Sequence, residues 1–80
     1  MQQQLLNRVR EIVATLFDAP LEEITAQTSQ ESVEGWDSMG HLSLIIELEQ
    51  EFSVQLAPEQ TETMTTVDRI TAILSHSCAN

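Results

Sequence analysis

Apolar residues recur at helical spacing in three stretches of this chain, and no stretch keeps the alternation of a strand. Leu5, Val9, Ile12, Val13 and Leu16 step by three and four, which predicts a first helix over about 3–17. Pro20 disfavours helical backbone at the residue before it, so Asp18-Ala19-Pro20 ends that run. A short turn carrying Leu21 and Ile24 is expected to tuck back onto the core. Residues 18–36 otherwise read as a long polar loop, with Thr25, Thr28, Ser29, Ser32 and Gly35 in its second half; such a length is unusual unless the loop packs on itself or has a function. A second helix is expected over about 38–52, with Asp37 as its N-cap. Pro58-Glu59-Gln60 predicts a short helix near 59–62. The last helix is expected over about 66–76, with Thr65 and Asp68 approximating a capping box and Val67, Ile70, Ile73 and Leu74 on its apolar face. The expected fold is all-α, a small four-helix bundle of three main helices plus a short third one, in a single domain over residues 1–80.

The second helix carries more apolar surface than so small a bundle buries with ease. On a helical wheel Leu44, Ile45, Leu48 and Phe52 share one arc of roughly 100°, with His41 projecting from it near the helix start. Met39, Leu42 and Ile46 form another strip, displaced by more than a right angle, with Ser38 bordering its N-terminal end. Two readings of the strip stand: it packs beneath the long loop under Val33 and Trp36, or it is an exposed, carboxylate-flanked surface for a docking partner.

Charge narrows the choice of partner. Thirteen acidic residues face three arginines and no lysine, a formal charge of −10. Nucleic acid needs basic side chains to neutralise its phosphates, and an anionic membrane surface repels such a chain for the same reason. A basic patch on another protein is the complementary partner. No stretch is apolar enough to span a bilayer, and no secretory signal is visible, so no stable membrane insertion and a cytoplasmic location are expected. Cys78, near the end of the chain, lacks the cationic surroundings that activate a thiol and reads as an ordinary tail residue. Two histidines without ligand spacing make no metal site. Ser38 after Asp37 reads as a residue of the helix cap. His41, one turn on, lacks the orienting acid and oxyanion donors that a hydrolase needs beside it, and reads as a partly buried, hydrogen-bonded residue.

The segment from Gly35-Trp36-Asp37-Ser38-Met39-Gly40-His41-Leu42 to Glu47-Leu48-Glu49-Gln50-Glu51-Phe52 resembles the modification site of the acyl carrier protein family. Met64-Thr65-Thr66-Val67-Asp68 resembles that family's lead-in to its final helix, so the likeness spans nearly the whole chain. It implies the acyl-carrier-protein type of helical bundle. It also implies that a phosphopantetheinyl transferase attaches 4′-phosphopantetheine from coenzyme A to Ser38, whose arm then holds acyl groups as thioesters. By the same resemblance, Asp37 caps the helix and helps the transferase engage. Met39, Leu42 and Ile46 match apolar docking positions, and Glu49 matches an acidic one; Glu47 is placed with it. The partners implied are acyl-loading and acyl-processing enzymes with basic patches, met by a monomeric carrier without catalysis of its own. Two positions often acidic in members serving fatty acid synthesis are Gly40 and Ser43 here. The segment is thereby closer to discrete carriers of specialised lipid or polyketide-type pathways. The Ser-Met-Gly step is also similar to aminoacyl carriers such as D-alanyl carrier proteins. A non-covalent helical adaptor using the apolar strip remains the reading from a different class.

Overall fold

The computed structural model describes residues 2–77. Four α-helices, α1 (Gln2–Leu16), α2 (Ser38–Phe52), α3 (Pro58–Thr63) and α4 (Val67–Ser77), follow one another, with a 3-10 turn at Leu21–Glu23 between the first two. The β-type pairing among the described residues is one isolated antiparallel bridge, Ser29 to Thr66. Cys78, read above as a tail residue, lies outside the described residues. α1 packs mainly along α4 and less extensively against α2.

The periodic apolar positions are the ones that meet in the middle. Val9, Val13, Leu44, Leu48, Met64, Val67, Ile70 and Leu74 are fully buried, and Ile12 and Ile45 nearly so. Burying such a side chain contributes about 1.5–3 kcal/mol each, so the packed interior holds the helices far more firmly than their local propensities do. Phe52 and Ile73 pack against this core while staying partly exposed. On the surface, Arg8 joins α1 to α2 by pairing with Glu51 at 2.7 Å and with Glu11 at 3.0 Å. Its hydrogen bonds to the Glu51 carboxylate first, then to Glu11, hold the guanidinium pKa above its ordinary value; these contacts are exposed and contribute little to stability.

Helix ends are set by local chemistry. α1 stops where Asp18 turns left-handed at φ +54° and the Ala19 N–H bonds back to the Ala14 carbonyl at 2.9 Å. α2 stops in the same way at Ser53, φ +53°. α3 is opened by Pro58, and the Gln60 side chain reaches back to accept the Ala57 N–H at 3.0 Å. For α4 the cap lies one residue later than the spacing of Thr65 and Asp68 suggests. The Thr66 hydroxyl accepts from the Arg69 N–H at 3.1 Å. The Asp68 and Val67 N–H groups are taken by the carbonyls of Ala26 and Thr28 in the long loop, each at 2.9 Å.

That loop is organised by its own polar residues. The Thr28 hydroxyl accepts the Thr25 N–H and the Ser32 hydroxyl accepts the Ser29 N–H, each at 2.8 Å. Ile24 sinks into the core, but Leu21 does not: it is 41% exposed. The 3-10 turn directs Ile24 inward instead, and Arg10 of α1 clamps the turn by donating to the Leu21 and Ile24 carbonyls. Among the described residues, no helix is long and apolar enough to cross a membrane.

Candidate functional site

The site is built at the start of α2, where the long loop delivers Gly35, Trp36 and Asp37 to the first helical turn. Asp37 sits in extended conformation and its Oδ1 accepts the Gly40 N–H at 2.8 Å. It therefore caps the helix, satisfying one of the donors that a helix start leaves free. Ser38 is the first helical residue. It is exposed, and none of the side-chain hydrogen bonds among the described residues uses its hydroxyl. An accessible primary hydroxyl on the positive end of a helix suits a phosphodiester link, because the helix dipole and free N–H groups there favour negative charge. The residues present thus fit a phosphate-linked arm.

Gly40 has a specific role in this turn. A Cβ at that position would lie within 3.0 Å of the Gly35 carbonyl oxygen, a backbone atom, and 2.9 Å from Phe17 Cε1. The loop backbone approaches α2 so closely that a side chain has no room. Gly35 itself takes φ +94°, a conformation that favours glycine, to bring that carbonyl in. The acidic residue often found at this position in the resembling carriers would require this loop backbone to shift.

Trp36 turns inward rather than over the apolar strip. It is 2% exposed, stacked on Phe17 with ring centroids 5.6 Å apart and lying edge to edge with His41 in nearly parallel planes, centroids 6.2 Å apart. Its buried indole N–H donates to His41 Nδ1 at 2.9 Å. An indole nitrogen only donates, so Nδ1 is the acceptor and the imidazole proton lies on Nε2. That Nε2–H donates to the Thr61 carbonyl of α3 at 2.7 Å. Both ring nitrogens are thereby engaged away from Ser38, which leaves His41 no lone pair to activate that hydroxyl.

The second apolar strip is open. Met39 is 80% exposed, Leu42 62% and Ile46 47%, and the loop that was one expected cover for it packs elsewhere through Trp36. Val33 is half-buried against the core cluster. Glu47 is exposed beside the strip. Glu49 is half-buried, and its Oε2 accepts the Leu56 N–H at 2.9 Å, so this carboxylate also fastens the α2–α3 connection. Periodicity alone had no means to reveal that second task, because the bond runs from α2 to a residue seven positions on, beyond the end of the helix. Beside Gly40 and Ser43, a shallow groove of about 330 Å³ runs between Leu16, Phe17, Asp18, Glu34 and Gly35.

Comparison with known proteins bears on this arrangement. The family described as "Phosphopantetheine attachment site" matches residues 7–74. An acyl carrier protein of Streptomyces coelicolor is 33% identical over 79 residues, 98% of this chain and 86% of that protein. One from Rubrobacter xylanophilus is 30% identical over 80 residues, 98% of each chain. Acyl carrier protein 3 of Ralstonia nicotianae is 26% identical over 76 residues, 95% of this chain and 87% of the relative. In architecture, the solution structure of a holo acyl carrier protein from Geobacter metallireducens superposes with a TM-score of 0.82 at 24% identity, over 92% of this chain and 85% of that one. The cofactor of such a domain is covalently attached phosphopantetheine. With the family match covering most of its length and a four-helix fold shared with a solved carrier, the chain belongs to the acyl carrier protein family.

Proposed function

We propose that this protein is a carrier that bears phosphopantetheine on the Ser38 oxygen and presents the cargo to successive partner enzymes, without catalysis of its own. The observation that supports this most directly is the combination at one helix start: an exposed Ser38, capped in place by Asp37, heading an exposed Met39, Leu42 and Ile46 strip. When bound, the arm supplies a terminal thiol that holds acyl groups as thioesters. The chain's own residues do the rest. Asp37 orders the turn and offers the phosphopantetheinyl transferase a defined backbone. The apolar strip forms the docking surface, with Glu47 and the free oxygen of Glu49 as acidic rim for basic patches on loading and processing enzymes.

Acyl cargo, in a specialised lipid or polyketide-type pathway, is the reading we favour. All three relatives bear the name acyl carrier protein, and the first turn of α2 lacks acidic residues, unlike the fatty-acid-synthesis pattern it resembles. An enzyme that uses Ser38 as nucleophile is disfavoured by the engagement of both His41 nitrogens. Incubation with coenzyme A, Mg²⁺ and a permissive transferase, followed by intact mass spectrometry, tests the assignment. One added phosphopantetheine that disappears in Ser38→Ala is expected. A mass that stays unchanged with several transferases overturns it and leaves the non-covalent adaptor, and a modification that survives Ser38→Ala overturns Ser38 as the attachment point.

A further inference from the structure

α3 is a six-residue helix, Pro58–Thr63, with no fully buried residue. Isolated helices of this length do not hold in water, so its place in the fold depends on anchors. Two lie at its ends: the Glu49 carboxylate on the Leu56 N–H before it and the buried Met64 after it. The third reaches into the helix itself, from His41 Nε2–H to the Thr61 carbonyl at 2.7 Å. On its other side the same imidazole accepts the indole N–H of Trp36 at 2.9 Å, and Trp36 is stacked on Phe17 at the end of α1.

Trp36 directly precedes Asp37 and Ser38, and His41 lies one turn beyond them. One ring therefore ties the residues before the serine, the helix that carries it and α3. Trp36 is buried at 2% exposure, so its N–H must find an acceptor inside the protein or lose the full desolvation cost of the group. His41 Nδ1 meets that requirement only as the Nε2–H tautomer, which is the tautomer that can donate to Thr61. One tautomer makes both bonds.

We propose that His41 is a positioning residue: as its Nε2–H tautomer it latches α3 to the Ser38 turn, so that the two keep one relative placement when a partner approaches the serine. The role in modification rests on Ser38 being the attachment site; the latch itself does not. Four samples of the intact chain test it: wild type, His41→Phe, which keeps an aromatic ring without either bond, His41→Gln, whose amide offers a donor and an acceptor, and Trp36→Phe. Amide hydrogen exchange is read by NMR, and phosphopantetheinyl transfer is followed with coenzyme A and Mg²⁺.

Losing a net hydrogen bond of ordinary strength corresponds to about tenfold in a local equilibrium. His41→Phe should speed exchange of the α3 amides by about tenfold while the amides of Leu48 and Ile70 change less than threefold. It should raise the transferase KM for the chain severalfold at nearly unchanged kcat, and His41→Gln should restore most of both. Trp36→Phe, which keeps the Thr61 bond, should loosen α3 less than His41→Phe does. Unchanged α3 exchange in His41→Phe overturns the latch, as does exchange that rises equally throughout the core. An unchanged KM beside faster α3 exchange overturns the positioning role. Should His41→Phe fail to fold, a through-hydrogen-bond nitrogen–nitrogen coupling between Trp36 Nε1 and His41 Nδ1 in the wild type decides the matter, and a protonated Nδ1 there refutes it. If the transferase leaves even the wild type unmodified, the Ser38 assignment and the positioning role fall together, and the exchange data still judge the latch.

Discussion

Replacing Gly40 with alanine sets helix propensity against backbone packing at one atom. In a helix interior alanine is favoured over glycine by about 0.8–1 kcal/mol, and on that ground alone the substitution should stabilise α2. The packing term has the opposite sign. The new Cβ would fall within 3.0 Å of the Gly35 carbonyl oxygen, and ordinary contact begins at 3.4 Å. The carbonyl would have to retreat by about 1 Å, and forced overpacking of this kind costs typically 1–3 kcal/mol. A backbone atom does not swing aside alone. Its movement carries Trp36 away from Phe17 and Asp37 away from the Gly40 N–H, and a lost cap adds about 1 kcal/mol. Packing therefore wins, and Gly40→Ala should destabilise by about 1–3 kcal/mol net. Gly40→Asp, the acidic residue of the resembling fatty-acid-type carriers, should cost more. Urea unfolding followed by the fluorescence of Trp36, the one tryptophan of the chain, reads the effect: the midpoint should fall by about 1 M at unchanged slope. A midpoint equal to or above wild type, with unshifted Trp36 emission, would show that the loop does not press on α2 and would refute the packing argument.

Two further substitutions separate docking from folding. Ile46→Arg should weaken binding to a partner enzyme by about tenfold or more, as loss of a docking anchor does. Helicity and unfolding midpoint should stay near wild type, because Ile46 is 47% exposed; a collapse of the fold would return that strip to the core. Glu49→Ala should lower stability by about 1 kcal/mol by orphaning the Leu56 N–H. Glu49→Gln, which keeps an acceptor oxygen, should retain most stability in the same urea titration and reveal in a binding assay what the charge alone contributes.

Much of the helical architecture was legible because it rests on periodic burial. Val9, Ile12, Val13, Leu44, Leu48, Ile70 and Leu74 stand at helical spacing, and they form the interior. Asp37 was equally legible as a cap, since capping is decided within four residues. What escaped depends on atoms distant in sequence. The cap of α4 falls on Thr66 rather than Thr65 because the loop carbonyls of Ala26 and Thr28 take the first N–H groups and set where the helix begins. Helix propensity alone makes Gly40 a cost to α2; the reason for it is the Gly35 carbonyl, distant from the periodic pattern, that occupies the space a side chain would take. The two readings of the Met39, Leu42 and Ile46 strip differ only in where Trp36 goes, and nothing in a pattern of hydrophobic positions says that an indole will choose Phe17 and His41 instead.

The inward turn of Trp36 and the missing side chain at Gly40 together shape how a partner must engage the carrier. From Ser38 through Ile46, α2 offers no carboxylate on its own surface, and its first acidic side chain, Glu47, stands nine residues beyond the serine, or about 13 Å along the axis. Glu51, a further turn on, is already paired with Arg8. Beside the serine, α2 itself offers apolar contact with Met39 and Leu42, and the preceding carboxylate, Asp37, holds the Gly40 N–H with one oxygen. On the docking surface proposed above, the carboxylates that α2 itself supplies to a basic patch lie at the far end, at Glu47 and Glu49. Salt therefore should slow association by screening the remote acidic end, while dissociation, governed by the apolar contacts near Ser38, should change little. A carrier with carboxylates throughout the first turn would show both effects; this chain, with its loop packed where such a side chain would stand, separates them along one helix.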